Sequence, residues 1–173
     1  MKLMCLICVC LIWLSGYADG DPFVSGVSVG VGQGRSGVDI YRLGVQKDFS
    51  ADWLANRTGW LSGYCEASAN YWKKNSDEVY GAAFSPVFVY FFGNHKMAIN
   101  PYIEAGIGAA CISGTRLGSR RLSTAFQFED RLGMGVRMRR GDFCVRYMHY
   151  SNGSIAEPND GIDSIIATVS YRL

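Results

Sequence analysis

Most of this chain lacks long hydrophobic runs, an excess of one charge and an even number of cysteines. After Leu14 no apolar segment approaches the roughly 20 residues that a membrane-spanning helix needs. The 17 Lys and Arg residues nearly balance the 15 Asp and Glu residues, so net charge does not indicate nucleic acid as a partner. Beyond residue 18 only Cys65, Cys111 and Cys144 remain. Their odd number and wide spacing argue against a disulfide framework or a zinc site, and no metal or cofactor is predicted.

The first eighteen residues have the features of a secretory signal. Lys2 is a positive residue at the N-terminus, residues 3–14 are apolar, and Gly16-Tyr17-Ala18 supplies small residues before a cleavage point. A membrane-anchoring helix is the alternative, but this apolar run is too short to span a bilayer. The sequence therefore predicts a signal peptide over 1–18 and a single domain over 19–173.

The rest of the chain is rich in side chains that must be hidden from water. Hydrophobic residues make up 49% of the sequence and aromatic residues 13%, and there are 21 glycines. Segments of about ten alternating residues recur between turn signals, which is typical of outer-membrane barrels. Eight such segments are predicted as strands: 23–32, 38–48, 60–72, 79–92, 101–111, 124–138, 143–152 and 163–173. The predicted fold is all-β, an eight-stranded antiparallel transmembrane β-barrel.

The two faces of these strands differ in chemistry. In segment 124–138, Glu129, Arg131 and Arg137 share one face, and aromatic or aliphatic residues occupy the other. A soluble barrel of lipocalin type would place the charged face outside, whereas a membrane barrel would place it inside, and periodicity alone does not distinguish them. Glycines on the charged face favour a crowded polar interior, and hence the membrane barrel.

His149 and Ser151 are the candidate chemical groups. Alternate residues of a strand project from the same side, so His149 and Ser151 share the face of Phe143, Val145 and Tyr147. A histidine beside a serine can act as the base that activates the nucleophile, and a carboxylate can orient the histidine. Asp163 opens the next strand, on the face that pairing would bring beside His149. The plainer alternative is that His149 and Ser151 are polar residues flanking a loop.

Two stretches around these residues resemble a known family. They are His149-Tyr150-Ser151-Asn152 and the following Pro158-Asn159-Asp160-Gly161-Ile162-Asp163. With segments 100–108 and 126–133, they are similar to the lipid A 3-O-deacylases of Gram-negative outer membranes. The similarity is strong over the C-terminal half and rests on pattern alone over the N-terminal half.

The resemblance implies a role for each site residue. Ser151 would be the nucleophile, His149 the general base and acid, and Asp163 would replace the glutamate that is usual in the family. Four further residues would position the site or stabilise the oxyanion: Asn159, Asn152, Gly153 and Ser154. Aspartate is shorter by one methylene, about 1.5 Å, and a misplacement of about 1 Å can cost on the order of a hundredfold in rate. The substitution therefore predicts either a compensating shift or reduced activity.

The expected function is that of an outer-membrane serine esterase that removes the ester-linked 3-position hydroxyacyl chain of lipid A. The expected partners are lipid A or lipopolysaccharide and outer-membrane lipid, with no nucleic acid, and association of two barrels is left open. Arg116, Arg120 and Arg121 could meet lipid A phosphates or form a solvated loop. The alternative function is a non-enzymatic barrel with a structural or adhesive role, which predicts that His149 and Asp163 lie too far apart to share a proton.

Overall fold

The computed structural model describes residues 23–35, 37–50 and 52–173. The predicted signal peptide lies outside these residues. Within them no helix is long and apolar enough to cross a membrane. The described residues form ten strands: β1 (Gly26–Gly34), β2 (Val38–Asp48), β3 (Gly59–Lys74), β4 (Asp77–Phe92), β5 (Asn100–Ile112), β6 (Arg116–Leu117), β7 (Arg120–Arg121), β8 (Phe126–Met138), β9 (Gly141–Ser151) and β10 (Ile162–Arg172).

Eight of the ten strands close into one antiparallel barrel. Each of these strands pairs with its neighbour along the chain, and β1 pairs with β10 to complete the closure. This confirms the predicted eight-stranded barrel. The two short strands β6 and β7 form a separate hairpin between β5 and β8, where no strand was predicted. The hairpin turn includes Gly118, whose φ of +60° suits glycine.

The apolar face of the strands points outward. Phe143 and Val145 are 45% and 40% exposed on the outer wall, whereas Arg42, Glu66 and Arg146 are buried inside the barrel. The lipocalin-type alternative is therefore wrong for this chain. An apolar outer wall around a polar interior is the arrangement that a bilayer requires of a spanning barrel, because lipid cannot solvate charges.

A network of ion pairs fills the middle of the barrel. Arg42 lies 2.8 Å from both Glu66 and Glu129. Arg131 contacts the same two carboxylates at 3.0 and 2.6 Å. The Tyr150 hydroxyl donates to Glu129 at 2.8 Å and accepts from Arg42 at 3.0 Å. Since Tyr150 lies between His149 and Ser151, this network holds the inner side of the strand that carries both residues.

The candidate residues lie at the barrel end opposite Gly26 and Arg172. The β1–β2 and β3–β4 turns, the β5–β8 connection and the β9–β10 loop all lie at this end. The first residue of β1 and the last residues of β10 lie at the other end. Ser151 is the last residue of β9 and Asp163 is the second residue of β10, so both lie close to the rim.

Candidate active site

His149 and Asp163 meet on the outer wall of the barrel. They are directly opposite each other in the β9–β10 pairing, and His149 Nδ1 lies 2.8 Å from Asp163 Oδ1. Both side chains are partly shielded, with 34% and 22% of their side-chain surface exposed. The aspartate reaches the imidazole despite its shorter side chain because the register places it directly across the strand pair. The non-enzymatic alternative predicted that His149 and Asp163 would lie too far apart to share a proton, and they do not.

Ser151 projects from the same wall, two residues beyond His149. Its strand neighbours Tyr150 and Asn152 are fully buried, and Ser151 is partly exposed on the opposite face. In the tautomer that donates Nδ1–H to Asp163, the His149 Nε2 atom is unprotonated and free to accept a proton. A hydroxyl, an imidazole and a carboxylate thus share one stretch of wall. Among the described residues a hydrogen bond joins His149 to Asp163, and none joins the Ser151 hydroxyl to His149.

Glycines shape the backbone around this wall. Gly161 has a φ of +60°, and a Cβ built there would lie 3.0 Å from His149 Cε1. A larger residue would therefore press on the imidazole as well as strain the backbone. Just after Ser151, Gly153 and Ser154 have φ values of +61° and +62° and turn the chain away from β9. Among the described residues no acceptor lies against the N–H of Gly153 or Ser154.

The two asparagines of the β9–β10 loop have different surroundings. Asn152 is fully buried, and its amide donates to the carbonyls of Leu122 and Ala156 at 2.9 and 2.8 Å. Asn159 is partly exposed, and its Oδ1 accepts the backbone N–H of Asn152 at 3.2 Å. Among the described residues no acceptor lies against the side-chain amide nitrogen of Asn159. Of the two tasks expected of these asparagines, Asn152 makes contacts that fit loop positioning, whereas Asn159 keeps a donor free.

The hairpin segment holds the β9–β10 loop in place. Arg120 donates to the carbonyls of Asp160 and Gly161 at 2.8 and 3.0 Å. The backbone N–H of Arg121 donates to the Asp160 carboxylate at 2.7 Å, and Ser123 donates to the Pro158 carbonyl at 2.7 Å. The guanidinium of Arg120 thus orders the loop beside His149, a role that the sequence analysis did not consider for it.

Two outer-wall residues next to the site were missed by the sequence analysis. The Tyr147 hydroxyl donates to Asp163 Oδ1 at 2.6 Å. Asp130 of β8 is directly opposite His149 on the side away from Asp163, and it is partly exposed. A signal existed in each case, because Tyr147 shares the stripe of His149 and Asp130 interrupts the apolar face of segment 124–138.

A groove of about 520 Å³ runs along the outer wall beside Asp163. Its walls combine apolar, amide, phenol and guanidinium groups, which suits a ligand with both apolar and polar parts. It is lined by Gln33, Gly34, Arg35, Tyr147, Asp163, Ser164 and Ile165. In the described part of the chain no group of three or more His, Cys, Asp or Glu side chains could hold a metal ion. Cys65, Cys111 and Cys144 are free thiols.

The fold and its outer-wall site define the class of protein, an outer-membrane β-barrel enzyme. The family model described as lipid A 3-O-deacylase (PagL) matches residues 39–172, and the chain belongs to that family. The family consists of ester-hydrolysing enzymes, which confirms the predicted enzyme class.

Named relatives agree with this assignment. The lipid A deacylase PagL of Pseudomonas aeruginosa is 44% identical over 142 residues, covering 80% of each chain. The lipid A deacylase PagL of Bordetella bronchiseptica is 36% identical over 112 residues, covering 62% of this chain and 60% of that one. The crystal structure of the outer membrane enzyme PagL superposes with a TM-score of 0.82 at 38% identity, covering 86% of this chain and all of that one. The predicted outer-membrane location is thereby confirmed.

Proposed function

We propose that this enzyme removes the ester-linked 3-position hydroxyacyl chain of lipid A, using Ser151, His149 and Asp163 as a catalytic triad on the lipid-facing wall. The observation that carries the proposal is the 2.8 Å contact between His149 and Asp163 on the same wall as Ser151. A hydrolytic group on the outside of a barrel meets only molecules that lie in the bilayer. Its substrate is therefore a membrane lipid, and the family names lipid A as that lipid.

The proposed reaction assigns one task to each of the three side chains. Ser151 Oγ attacks the ester carbonyl carbon while its proton passes to His149 Nε2, and Asp163 stabilises the resulting imidazolium through Nδ1–H. The tetrahedral intermediate collapses, the sugar oxygen leaves with the proton from His149, and the hydroxyacyl chain stays on Ser151. Water then attacks the acyl-enzyme with His149 as base, releasing the hydroxy fatty acid and restoring Ser151.

The negative oxygen of the intermediate needs hydrogen-bond donors. Among the described residues, no acceptor lies against the side-chain amide nitrogen of Asn159 or the backbone N–H groups of Gly153 and Ser154, all of which follow Ser151 in the loop. Asn152 positions this loop through the Leu122 and Ala156 carbonyls. We therefore assign oxyanion stabilisation to Asn159 with Gly153 or Ser154, and loop positioning to Asn152.

Asn159→Asp tests the oxyanion assignment. The variant keeps an oxygen to accept the Asn152 N–H but replaces the amide donor with a negative charge, so the loop is retained and the intermediate is repelled. Loss of one such donor typically costs about a hundredfold to a thousandfold in kcat. We expect a kcat loss of that order with little change in KM, measured on purified protein. A kcat within threefold of the wild type would exclude Asn159 as a donor.

A separate experiment tests which ester bond of lipid A is hydrolysed. Protein in detergent micelles, incubated with lipid A that carries a 3-position ester, should release one hydroxy fatty acid, and mass spectrometry of the product should place the loss at the 3-position. Lipid A from which all ester-linked chains have been removed by mild alkali and which has been repurified is the control for ester dependence and should release nothing. Release from any other position would contradict the assigned specificity while leaving the triad intact.

Association of two barrels remains a prediction. Arg116 and Arg121 remain candidates for contact with lipid A phosphates, whereas Arg120 is engaged by the Asp160 and Gly161 carbonyls.

A further inference from the structure

We propose that Tyr147 is a positioning residue for the reaction, which holds the Asp163 carboxylate in line with His149. This inference rests on the proposed function, because it gives Tyr147 a role that acts through the triad.

One oxygen of Asp163 carries both contacts. Asp163 Oδ1 accepts the Tyr147 hydroxyl at 2.6 Å and contacts His149 Nδ1 at 2.8 Å. In the β9–β10 register Asp163 is opposite His149, and Tyr147 is opposite Ile165, two residues further along β10. Such a diagonal contact across an antiparallel pair is within reach of a long aromatic side chain. Tyr147 therefore reaches Asp163 from the side of the wall away from Ser151.

The second contact matters because little else holds the carboxylate. Among the described residues the Asp163 side chain makes these two hydrogen bonds, and beyond them it has a longer-range charge interaction with Arg120. One of them comes from His149, whose charge changes during every turnover. The Tyr147 hydroxyl keeps one protonation state throughout, so it fixes the carboxylate while His149 gains and loses its proton. A hydrogen bond to a charged acceptor is also stronger than one between neutral groups.

The location of Tyr147 suggests a competing role. Tyr147 lines the outer-wall groove with Gln33 and Ile165 and is 47% exposed, so it could simply contact bound lipid. A lipid contact predicts a change in KM, because it contributes equally to binding the substrate and the transition state. A positioning role predicts a change in kcat, and it predicts that the effect disappears when Asp163 is removed.

The experiment compares Tyr147→Phe with Tyr171→Phe. Tyr171 lies on the outer wall of β10 with a similar exposure of 49%, towards the other end of the barrel. We expect Tyr147→Phe to lower kcat by roughly tenfold, the size of a lost charge-assisted hydrogen bond, with KM within twofold. Tyr171→Phe should match the wild type. Phenylalanine keeps the ring, and heat-modifiable migration on gels verifies that each barrel is folded.

A double-mutant cycle and a substrate-independent probe complete the test. A fluorophosphonate labels an activated serine with loss of fluoride, so its rate of reaction at Ser151 reports activation without any lipid binding. Tyr147→Phe should slow labelling by the same factor as kcat, and it should have no further effect in an Asp163→Ala background. An equal slowing in both backgrounds, or a change in KM alone, would overturn the positioning role. If the wild-type protein is neither labelled at Ser151 nor active, the triad itself fails, and the role of Tyr147 fails with it.

Discussion

Ser151→Ala is expected to reduce release of hydroxy fatty acid from lipid A by at least about a thousandfold. The reaction forms a covalent bond to Ser151 Oγ, and a methyl group cannot form it. His149 and Asp163 keep their 2.8 Å contact in the variant, since Ser151 is not one of the residues that hold them together. Residual hydrolysis would come only from direct attack of water on the ester, with the oxyanion donors stabilising the intermediate. The measurement is kcat of detergent-purified protein, followed by mass spectrometry of the released acid.

Ser119→Ala is the matched control for this prediction. Ser119 is exposed between β6 and β7, at the same end of the barrel as Ser151. It should retain wild-type activity and fluorophosphonate labelling, whereas Ser151→Ala should lose both. Unchanged release by a folded Ser151→Ala barrel would show that another group starts the reaction.

The architecture was predictable because strand residues alternate between two faces. The segment predicted at 38–48 coincides with β2, and the other seven barrel strands are within a few residues of their expected bounds. The alternation also placed His149 and Ser151 together on the outer wall without any knowledge of the register. Which face pointed outward depended on the glycines and charges, and burial of Arg42 and Glu66 bears out that argument.

Contacts across strands were harder to predict, because they depend on register and on side-chain reach. The Asp163–His149 contact required only that consecutive strands pair at their shared end. The hydrogen bond from Tyr147 to Asp163 required a diagonal contact, and the position of Asp130 beside His149 required the register of β8. The spacing of residues in the sequence gives neither the strand register nor the reach of a side chain. These two residues were therefore missed although each lies on the face that had been identified.

The periodicity of the sequence also could not predict long-range contacts or loop geometry. Arg42 bonds Glu129 from 87 residues away, across the interior of the barrel. The β6–β7 hairpin has strands of two residues, too short to show any alternation. The sequence predicted Asn152 at the end of strand 143–152 and Asn159 in the loop that follows, but it could not separate their tasks, because that depends on which amide faces the Leu122 and Ala156 carbonyls.

Asp163→Asn is expected to lower kcat by about 10⁴-fold, the size of the effect when the orienting carboxylate of a serine hydrolase is made neutral. The amide is nearly the same size as the carboxylate, so packing on the wall is preserved. It can, however, donate to Nδ1, which would place the imidazole proton on Nε2, where His149 can no longer accept the proton of Ser151. It also removes the negative charge that stabilises the imidazolium. The effect should be seen in kcat and in the rate of fluorophosphonate labelling alike.

Asp163→Glu and Asp39→Asn make this prediction specific. Glutamate keeps a carboxylate at this position and should keep kcat within about tenfold of the wild type, because the charge and the acceptor for Nδ1–H are retained. Asp39 is an exposed aspartate at the same end of the barrel, on β2, where it accepts a hydrogen bond from Gln33. Its conversion to asparagine should leave kcat unchanged. If Asp163→Asn retained most of the activity, another carboxylate would have to orient His149, and Asp130, directly across the β8–β9 pair, is in position to do so.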